Sequence, residues 1–333
     1  MSSDLNGARP GGTTGSEALI ASVPSAEPAT AAGPKGMAGL AGRWWAISET
    51  LTAYSFLAPT IAFFAVFMFL PIGLGFWLSL ENSSGFGVST FVGLANYRAM
   101  IHDPIFWKTL GNTAIYTILT VPSSVLIGLA IALLLKDEFL RGRNIYRSFV
   151  YFPMVISGVA TAIVGGWMFN ENLGVADKFL AAVHLPTIHW QSSSFPAMMS
   201  LVVMTLWTRV GFNMVIYLAG LQNMDSSYLE AAAVDGAGPW RRFRRVTWPM
   251  LGPTTFFLVV MNVIYSFQVF DLVYVMTGGG PSNSTNMLGV YAYQQGFIEN
   301  QQGYATAIGM ALFVLVLAFT AIQWRVSRHR DLA

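Results

Sequence analysis

Residues 225–250, DSSYLEAAAVDGAGPWRRFRRVTWPM, separate two long apolar runs and carry four arginines in a chain that is otherwise poor in charge. Ser227 followed three residues later by Glu230 is the pattern of a capping box, in which each side chain satisfies a free backbone donor at a helix start. Gly236 or Gly238 can end this helix, because glycine adopts the left-handed conformation that other residues disfavour. The stretch therefore predicts a short helix that stops at a glycine.

A second helix is expected to start at Pro239, which suits the first helical turn. Apolar residues recur in it at three- to four-residue spacing while four arginines project elsewhere; the apolar set is Trp240, Phe243, Val246 or Thr247, and Met250. This pattern indicates a basic amphipathic segment on the anionic inner leaflet of a membrane. The first helix differs, because its three alanines leave room for another surface to approach its backbone. A capped connector between spans is the alternative interpretation, in which Glu230 is only a cap partner.

The composition places the chain in lipid. Of its 333 residues 54% are hydrophobic and only 10% are charged, whereas about a quarter of a soluble domain is charged. Such a chain cannot cover itself with polar surface in water. The formal net charge of +2 gives no reason to expect nucleic acid as a partner. Cysteine is absent, which excludes disulfides and thiolate chemistry.

Six apolar runs are long enough to cross a bilayer, for which about 20 residues are needed. They lie at 54–80, 110–135, 148–169, 196–221, 251–276 and 303–324. Only Arg209 and Asp271 bring formal charge into them. Residues 1–42 are rich in Gly, Ala, Ser, Thr and Pro and lack the apolar core of a signal peptide, which predicts a disordered tail. Residues 43–333 are then one six-span domain.

Orientation follows from the Lys and Arg count, because basic residues are retained on the cytoplasmic side. Fourteen of them fall in the termini and in alternate connections: Arg9, Lys35, Arg43, Lys136, Arg141, Arg143, Arg147, Arg241, Arg242, Arg244, Arg245, Arg325, Arg328 and Arg330. The other connections have three, namely Arg98, Lys108 and Lys178. Both termini and the 225–250 loop are therefore predicted to be cytoplasmic.

The string EAAAVDGAGPWRRFRRVTWPMLGP, residues 230–253, resembles the EAA loop of permease subunits of binding-protein-dependent ABC importers, although Trp248-Pro249 stands where many members have Leu-Pro. Four further strings resemble the carbohydrate branch of that family, which includes maltose and glycerol-phosphate importers: FVGLANY at 91–97, FWKTLGNT at 106–113, GFNMVIYLAGLQNM at 211–224 and SFQVFDLVYVMTGGGPSNST at 266–285. The resemblance extends over about residues 54–324. It implies an all-α membrane protein, with the six transmembrane helices of the type I ABC importer permease fold and a cytoplasmic coupling helix.

By this resemblance, the coupling helix at 225–240 docks into a cytosolic ATPase subunit. The matching positions are Glu230, Ala231, Ala232, Asp235, Gly236 and Ala237. Further implied partners are a second permease, a dimer of ATPase subunits and an extracytoplasmic solute-binding protein that docks on the outer loops. The implied substrate is a sugar or oligosaccharide, and the implied location is the bacterial plasma (inner) membrane.

The residues themselves predict neither an enzyme nor a cofactor site. There is no GxxxxGK[ST] phosphate loop, so ATP must bind another chain. The four histidines have no partner at i+4, and no metal is assigned. The chain has no Gly-x-Ser-x-Gly elbow and no close carboxylate pair inside a span, so hydrolysis is not expected.

Polar residues inside spans are costly and are therefore candidates for the transport path. The candidates are Asn213, Asn262, Tyr265, Gln268 and Asp271. Gln268 and Asp271 are three residues apart and are expected to share one face of span five. Amides, a carboxylate and aromatic rings suit a sugar, which presents hydroxyls and apolar ring faces. The alternative interpretation is structural, in which Arg209 and Asp271 pair with each other or with groups of a partner chain.

Two other functions are weighed against a sugar importer. A glycerol-3-phosphate importer of the same family would want cationic groups at its cavity, and only Arg209 offers one. An ion-coupled carrier would use Asp271 and Arg209, but the ionisable groups are too few for an obvious proton relay and the EAA string would have no purpose in it.

Overall fold

A computed structural model of the chain describes residues 52, 54–85, 87–136 and 141–328. The predicted tail, residues 1–42, lies outside the described residues. The chain divides into two units, residues 1–68 and 69–333. What is described of the first unit is helical from residue 54 onward, and the second unit contains the remaining elements.

The helices are α1 (Tyr54–Ser79), α2 (Ala95–His102), α3 (Pro104–Leu135), α4 (Arg143–Tyr151), α5 (Gly158–Met168), α6 (Val175–Ala182), α7 (Ser194–Gln222), α8 (Ser226–Val234), α9 (Pro239–Met250), α10 (Gly252–Phe267), α11 (Asp271–Met276), α12 (Leu288–Tyr293) and α13 (Gln302–Arg328). Tighter or wider helical turns occupy Ala65–Phe69, Phe152–Val155, Phe243–Thr247 and Gln294–Ile298. Two short strands, β1 (Glu81–Asn82) and β2 (Thr90–Phe91), pair antiparallel with Glu81 opposite Phe91.

Long apolar helices account for four of the six predicted spans. They are Tyr54–Ser79, Pro104–Leu135, Ser194–Gln222 and Gln302–Arg325. The third and fifth predicted spans are bent pairs: Arg143–Val155 meets Gly158–Met168 at 100°, and Pro239–Met250 meets Gly252–Phe267 at 64°. The described residues thus form a mostly helical protein with four helices that could cross a membrane, or six spans if each bent pair crosses once.

The bends have local causes. Ser157 is extended, with φ −61° and ψ 149°, and its side chain accepts a hydrogen bond from the Ala160 N–H at 3.2 Å, so α5 starts as a separately capped helix. A proline in the first turn of α10 likewise suits a new helix start after Leu251. Beyond α10 the backbone leaves helical geometry again at Phe270, with φ −135° and ψ −67°, before α11 begins.

The core lies where α3 packs against α7 and α10. Gly128 of α3 approaches α7 so closely that a Cβ at this position would lie 2.5 Å from the Cβ of Asn213. Gly211 of α7 touches the backbone of α4, where a Cβ would lie 2.4 Å from the Val150 carbonyl oxygen. Small residues of this kind allow membrane helices to gain packing contacts where water cannot drive association.

Asp103 joins three elements at the start of α3. Its carboxylate accepts hydrogen bonds from the hydroxyls of Tyr291 and, at 2.6 Å, Tyr304, and it also caps α3 by accepting from the Ile105 N–H at 2.8 Å. Burial alone would raise the pKa of Asp103, but these hydrogen bonds outweigh it and hold the pKa below its usual value. The carboxylate is therefore ionised at neutral pH and ties α12 and α13 to the start of α3.

Candidate functional site

The 225–250 stretch forms the predicted short helix, α8, but the start of that helix differs from the expectation. Asp225 is the N-cap, and its Oδ1 accepts from the Ser227 N–H at 2.9 Å. This hydrogen bond lowers the pKa of Asp225. The predicted capping box of Ser227 with Glu230 is therefore wrong, because the Asp225 carboxylate reaches the free backbone donor first. Glu230 lies inside the helix and is exposed, so capping does not explain it.

The end of α8 is a Schellman motif. Gly236 has a φ of +74°, and its N–H donates to the Ala233 carbonyl at 3.0 Å. The N–H of Ala237 donates to the Ala232 carbonyl at 2.9 Å. These two bonds satisfy the last carbonyls of the helix. Of the two glycines that could end the helix, Gly236 does so, whereas Gly238 has a φ of −65° and precedes Pro239 as the N-cap of α9.

α8 buries none of its residues against the rest of the chain. Among the six positions matched to the EAA loop, Ala232 and Ala237 are partly buried and the other four are exposed. Apolar side chains are exposed as well, since Tyr228 is 59% and Val234 88% accessible. A short helix that is capped at both ends and keeps apolar groups in contact with solvent is typical of a docking surface.

A cavity of about 310 Å³ with polar and apolar lining residues lies among α3, α5, α7, α10 and α11. Hydroxyl and amide groups dominate its polar wall, and a single arginine and a single aspartate line it. The polar lining residues are Tyr116, Thr120, Ser124, Thr161, Thr205, Thr208, Arg209, Asn262, Tyr265, Ser266, Gln268 and Asp271. Four of the five predicted path residues, all except Asn213, are therefore brought together at one cavity.

The two broken spans meet at this cavity. α5 starts at Gly158 and α11 starts at Asp271, and both residues line the cavity. Gly158 packs closely against this carboxylate, because a Cβ at 158 would lie 2.7 Å from Asp271 Oδ2 and would require that side chain to shift. The start of α5 carries the positive end of its helix dipole, which favours a carboxylate there. Gln268 lies beyond the end of α10, so the expectation that Gln268 and Asp271 share one face of a continuous helix is wrong.

Arg209 lies on the cavity wall and stacks on an aromatic ring. Its guanidinium carbon is 3.7 Å from the centroid of the Tyr265 ring, a geometry worth about 0.5–2 kcal/mol. Among the described residues the one ion pair within 4.0 Å is His189 with Glu171, so the interpretation in which Arg209 and Asp271 pair with each other is not what the structure shows. The cavity thus contains a guanidinium whose charge no carboxylate within the described chain neutralises at contact distance.

Asn213 is fully buried behind the cavity wall. The Asn262 Nδ2 donates to Asn213 Oδ1 at 2.8 Å and to the Leu258 carbonyl at 2.7 Å, and Ser124 Oγ donates to Asn262 Oδ1 at 3.3 Å. These bonds join α3, α7 and α10 and fix the side chain of Asn262. Asn213 therefore positions a cavity residue and does not line the cavity itself.

The sequence interpretation missed most of the hydroxyl groups. Tyr116, Thr120 and Ser124 recur every fourth residue in α3 and share one helix face that lines the cavity. This spacing is visible in the sequence, but a threonine or serine inside a membrane helix can equally donate to its own backbone, as Thr120 does to the Tyr116 carbonyl. Within the described ranges no group of three or more His, Cys, Asp or Glu side chains is placed to hold a metal ion.

Several apolar helices around a cavity lined in part by hydroxyl and amide groups, together with an exposed capped helix in a basic loop, define a multi-pass membrane protein of the permease class. A family model described as "binding-protein-dependent transport system inner membrane component" matches residues 106–331, and the chain belongs to this family. It is the membrane permease type of ABC transporter subunit and not an enzyme, as the resemblance implied.

Relatives named as transport permeases agree with this assignment, and one solved structure shares the fold. The chain is 34% identical over 274 residues to the sn-glycerol-3-phosphate transport system permease protein UgpA of Yersinia enterocolitica, covering 82% of this chain and 92% of the relative. It is 33% identical over 292 residues to the sulfoquinovosyl glycerol transport system permease protein SmoG of Agrobacterium fabrum, covering 87% of this chain and 94% of the relative. A bacterial ABC transporter that imports the acidic polysaccharide alginate has the same fold, with a TM-score of 0.74 at 23% identity over 86% of this chain and 98% of the other.

Proposed function

We propose that the chain is a permease subunit of an ATP-driven ABC importer for a sugar or oligosaccharide. The observation that carries the proposal is the cavity, whose wall offers hydroxyl and amide groups, with one arginine and one aspartate, to a solute. Such a lining matches the hydroxyls of a sugar, and Tyr265 and Phe270 supply ring surfaces for its apolar faces. The relatives named for glycerol phosphate and sulfoquinovosyl glycerol fit a polyhydroxylated solute.

The proposed assembly contains a second permease, two ATPase subunits and an extracytoplasmic binding protein. In it residues 43–333 cross the bacterial plasma membrane six times, each bent pair counting as one span. Both termini, including the 1–42 tail, lie in the cytoplasm because the basic residues are concentrated on that side. ATP binds the ATPase subunits, and no cofactor is assigned to this chain.

α8 is the proposed coupling helix of the assembly. Glu230, Ala231, Ala232, Asp235, Gly236 and Ala237 form or border the surface that would meet the ATPase subunit. The exposure of four of them, all except Ala232 and Ala237, supports this role. The caps at both ends also support it, because a helix that transmits displacement must not fray when it is pushed. ATP-driven closure of the ATPase dimer would move α8, and α9 and α10 would carry the movement to the cavity.

An anionic solute such as glycerol 3-phosphate is the second candidate. Arg209 favours it, because its charge is not neutralised at contact distance by any acid within the described chain. Asp271 opposes it, since a carboxylate at the same cavity repels an anion. Arg209→Gln separates the two candidates: it should lower uptake of an anionic solute far more than uptake of a neutral sugar.

The proposal is tested by reconstituting the complete transporter in vesicles with ATP inside and the binding protein outside. The ligand is first identified by thermal shift of the binding protein against a panel of neutral sugars, sugar acids and glycerol 3-phosphate. We expect ATP-dependent uptake of a compound selected from that panel. Uptake that needs an ion gradient and no ATP would instead support the ion-coupled carrier.

The role of Glu230 is tested with a pair of variants. Glu230→Ala should reduce the ATPase activity that the loaded binding protein stimulates, because its side chain is exposed and has no capping role. Asp225→Ala removes the true N-cap and measures how much a weakened helix start alone costs, typically about 1 kcal/mol. Unimpaired stimulation in Glu230→Ala would remove Glu230 from the coupling surface.

A further inference from the structure

Four aromatic rings form a continuous series beside the cavity, and we refer to them as the aromatic ladder: Phe270, Tyr274, Tyr293 and Phe297. Phe270 and Tyr274 are stacked with centroids 5.4 Å apart, and Tyr293 and Phe297 are stacked at 5.2 Å. Tyr293 meets Phe270 and Tyr274 edge to face at 5.3 and 5.2 Å. The ladder joins α11 to the turn that follows α12.

One end of the ladder belongs to the cavity and the other reaches the surface. Phe270 lines the cavity, whereas Tyr274 is 39% and Phe297 70% accessible. The ladder lies in the segment between α10 and α13, which is on the side of the predicted spans opposite the 225–250 loop. Under the proposed orientation it therefore leads from the extracytoplasmic surface to the cavity.

The chemistry of the ladder favours a sugar as its ligand over the aliphatic surface of another protein. Aromatic faces carry negative charge density and attract the C–H groups of a pyranose ring. Polar groups lie at both ends, with Gln268 and Asp271 at the cavity and exposed Glu299 and Asn300 beyond Phe297. Stacking surface flanked by hydrogen-bonding groups is what a ring with an apolar face and a hydroxyl rim requires.

We propose that the aromatic ladder is an entry path on which pyranose rings stack as they pass from the binding protein into the cavity. This inference rests on the proposed function and adds a route for the solute to it, one that favours solutes with at least one sugar ring. Tyr274 and Phe297 keep 39% and 70% of their surface accessible, so each offers ring surface on which a pyranose can stack before it reaches Phe270 at the cavity. An acyclic polyol phosphate would gain little from such a path.

The test uses the complete transporter in vesicles and the labelled sugar selected by the thermal-shift screen. Tyr274→Leu, Tyr293→Leu and Phe297→Leu each remove a ring and keep apolar bulk, while Tyr274→Phe and Tyr293→Phe keep the ring. Phe179→Leu is the matched control. Phe179 in α6 is 68% accessible, an exposure similar to the 70% of Phe297, and it lies outside the ladder. Uptake is measured with saturating loaded binding protein, together with basal ATPase activity and recovery of all subunits.

We expect each leucine variant of the ladder to slow uptake about three- to tenfold, as the loss of one aromatic contact implies. The phenylalanine variants and Phe179→Leu should stay near wild type, and basal ATPase activity should not change. Equal uptake in ladder and control variants would overturn the proposal. So would loss of the second permease from the purified complex, which would mean that a protein partner covers the ladder. A wild-type transporter that takes up no sugar of the panel would defeat the proposed function itself.

Discussion

Gly236→Ala is the sharpest perturbation of α8, the proposed coupling helix, that the structure offers. Gly236 has a φ of +74°, and a Cβ there would meet nothing within 4 Å. The cost is therefore confined to the backbone, where a residue with a Cβ in the left-handed region loses about 1–2 kcal/mol. This cost lowers the ratio of the hydrogen-bonded to the frayed C-terminal end of α8 about 5- to 30-fold. It acts against the two hydrogen bonds made by the N–H groups of Gly236 and Ala237.

Gly238→Ala is the matched control two residues away. A Cβ at Gly238 also meets nothing within 4 Å, but its φ is −65°, which alanine adopts freely. Gly236→Asn is a partial rescue, because asparagine tolerates the left-handed region.

The assay is ATPase activity of the complete transporter in vesicles, with and without loaded binding protein. We expect stimulation to fall in Gly236→Ala, to recover partly in Gly236→Asn and to stay near wild type in Gly238→Ala, with basal activity equal in all. Full stimulation and uptake in Gly236→Ala would refute the reasoning that a firmly closed helix end is needed for coupling.

Three further predictions concern stability and are measured by thermal unfolding of the purified protein in detergent. Gly128→Ala should lower the free energy of unfolding by about 1–3 kcal/mol through overpacking against Asn213. Gly111→Ala in the same helix should not lower it, because a Cβ there meets nothing within 4 Å. Equal melting temperatures of the two variants would contradict the close crossing. Asn262→Leu should cost about 1–3 kcal/mol, because it leaves Asn213 Oδ1 buried without its donor; an unchanged melting temperature would argue against the polar junction. The pKa of Asp103 is lower in the folded state than the value of about 3.9 expected when unfolded. Its contribution to the free energy of unfolding is therefore present above about pH 4 and is lost as the pH falls through the folded pKa. Asp103→Asn should be less stable than the wild type at pH 7 and should not show this loss at low pH, and parallel pH profiles of the two proteins would contradict the assignment.

Local patterns in the sequence predicted much of the fold, and the errors have local reasons too. A glycine end of the first helix and a start of the second at Pro239 were predicted correctly, because termination by glycine and initiation by proline depend on the residue's own backbone. The sequence left Gly236 and Gly238 both open, and the backbone of the structure selects Gly236. Ser227 was wrongly predicted as the N-cap. The Asp225 side chain, two residues earlier, can also accept a hydrogen bond from a backbone N–H, and only the geometry shows which of the two side chains does so. The continuous span five was wrong because hydropathy does not report the turn at Phe270.

The sequence by itself determined that the chain lies in lipid, where its apolar segments are, and that a basic loop contains a short helix. These features follow from composition and from contacts between near neighbours in the chain. Only the tertiary structure decided how polar residues in distant spans are used. It gathered Tyr265, Gln268 and Asp271 at one cavity, buried Asn213 behind its wall and stacked Arg209 on a ring instead of pairing it with Asp271. Those outcomes depend on which helix faces meet, and this is set by close crossings such as the one at Gly128 that no local pattern specifies.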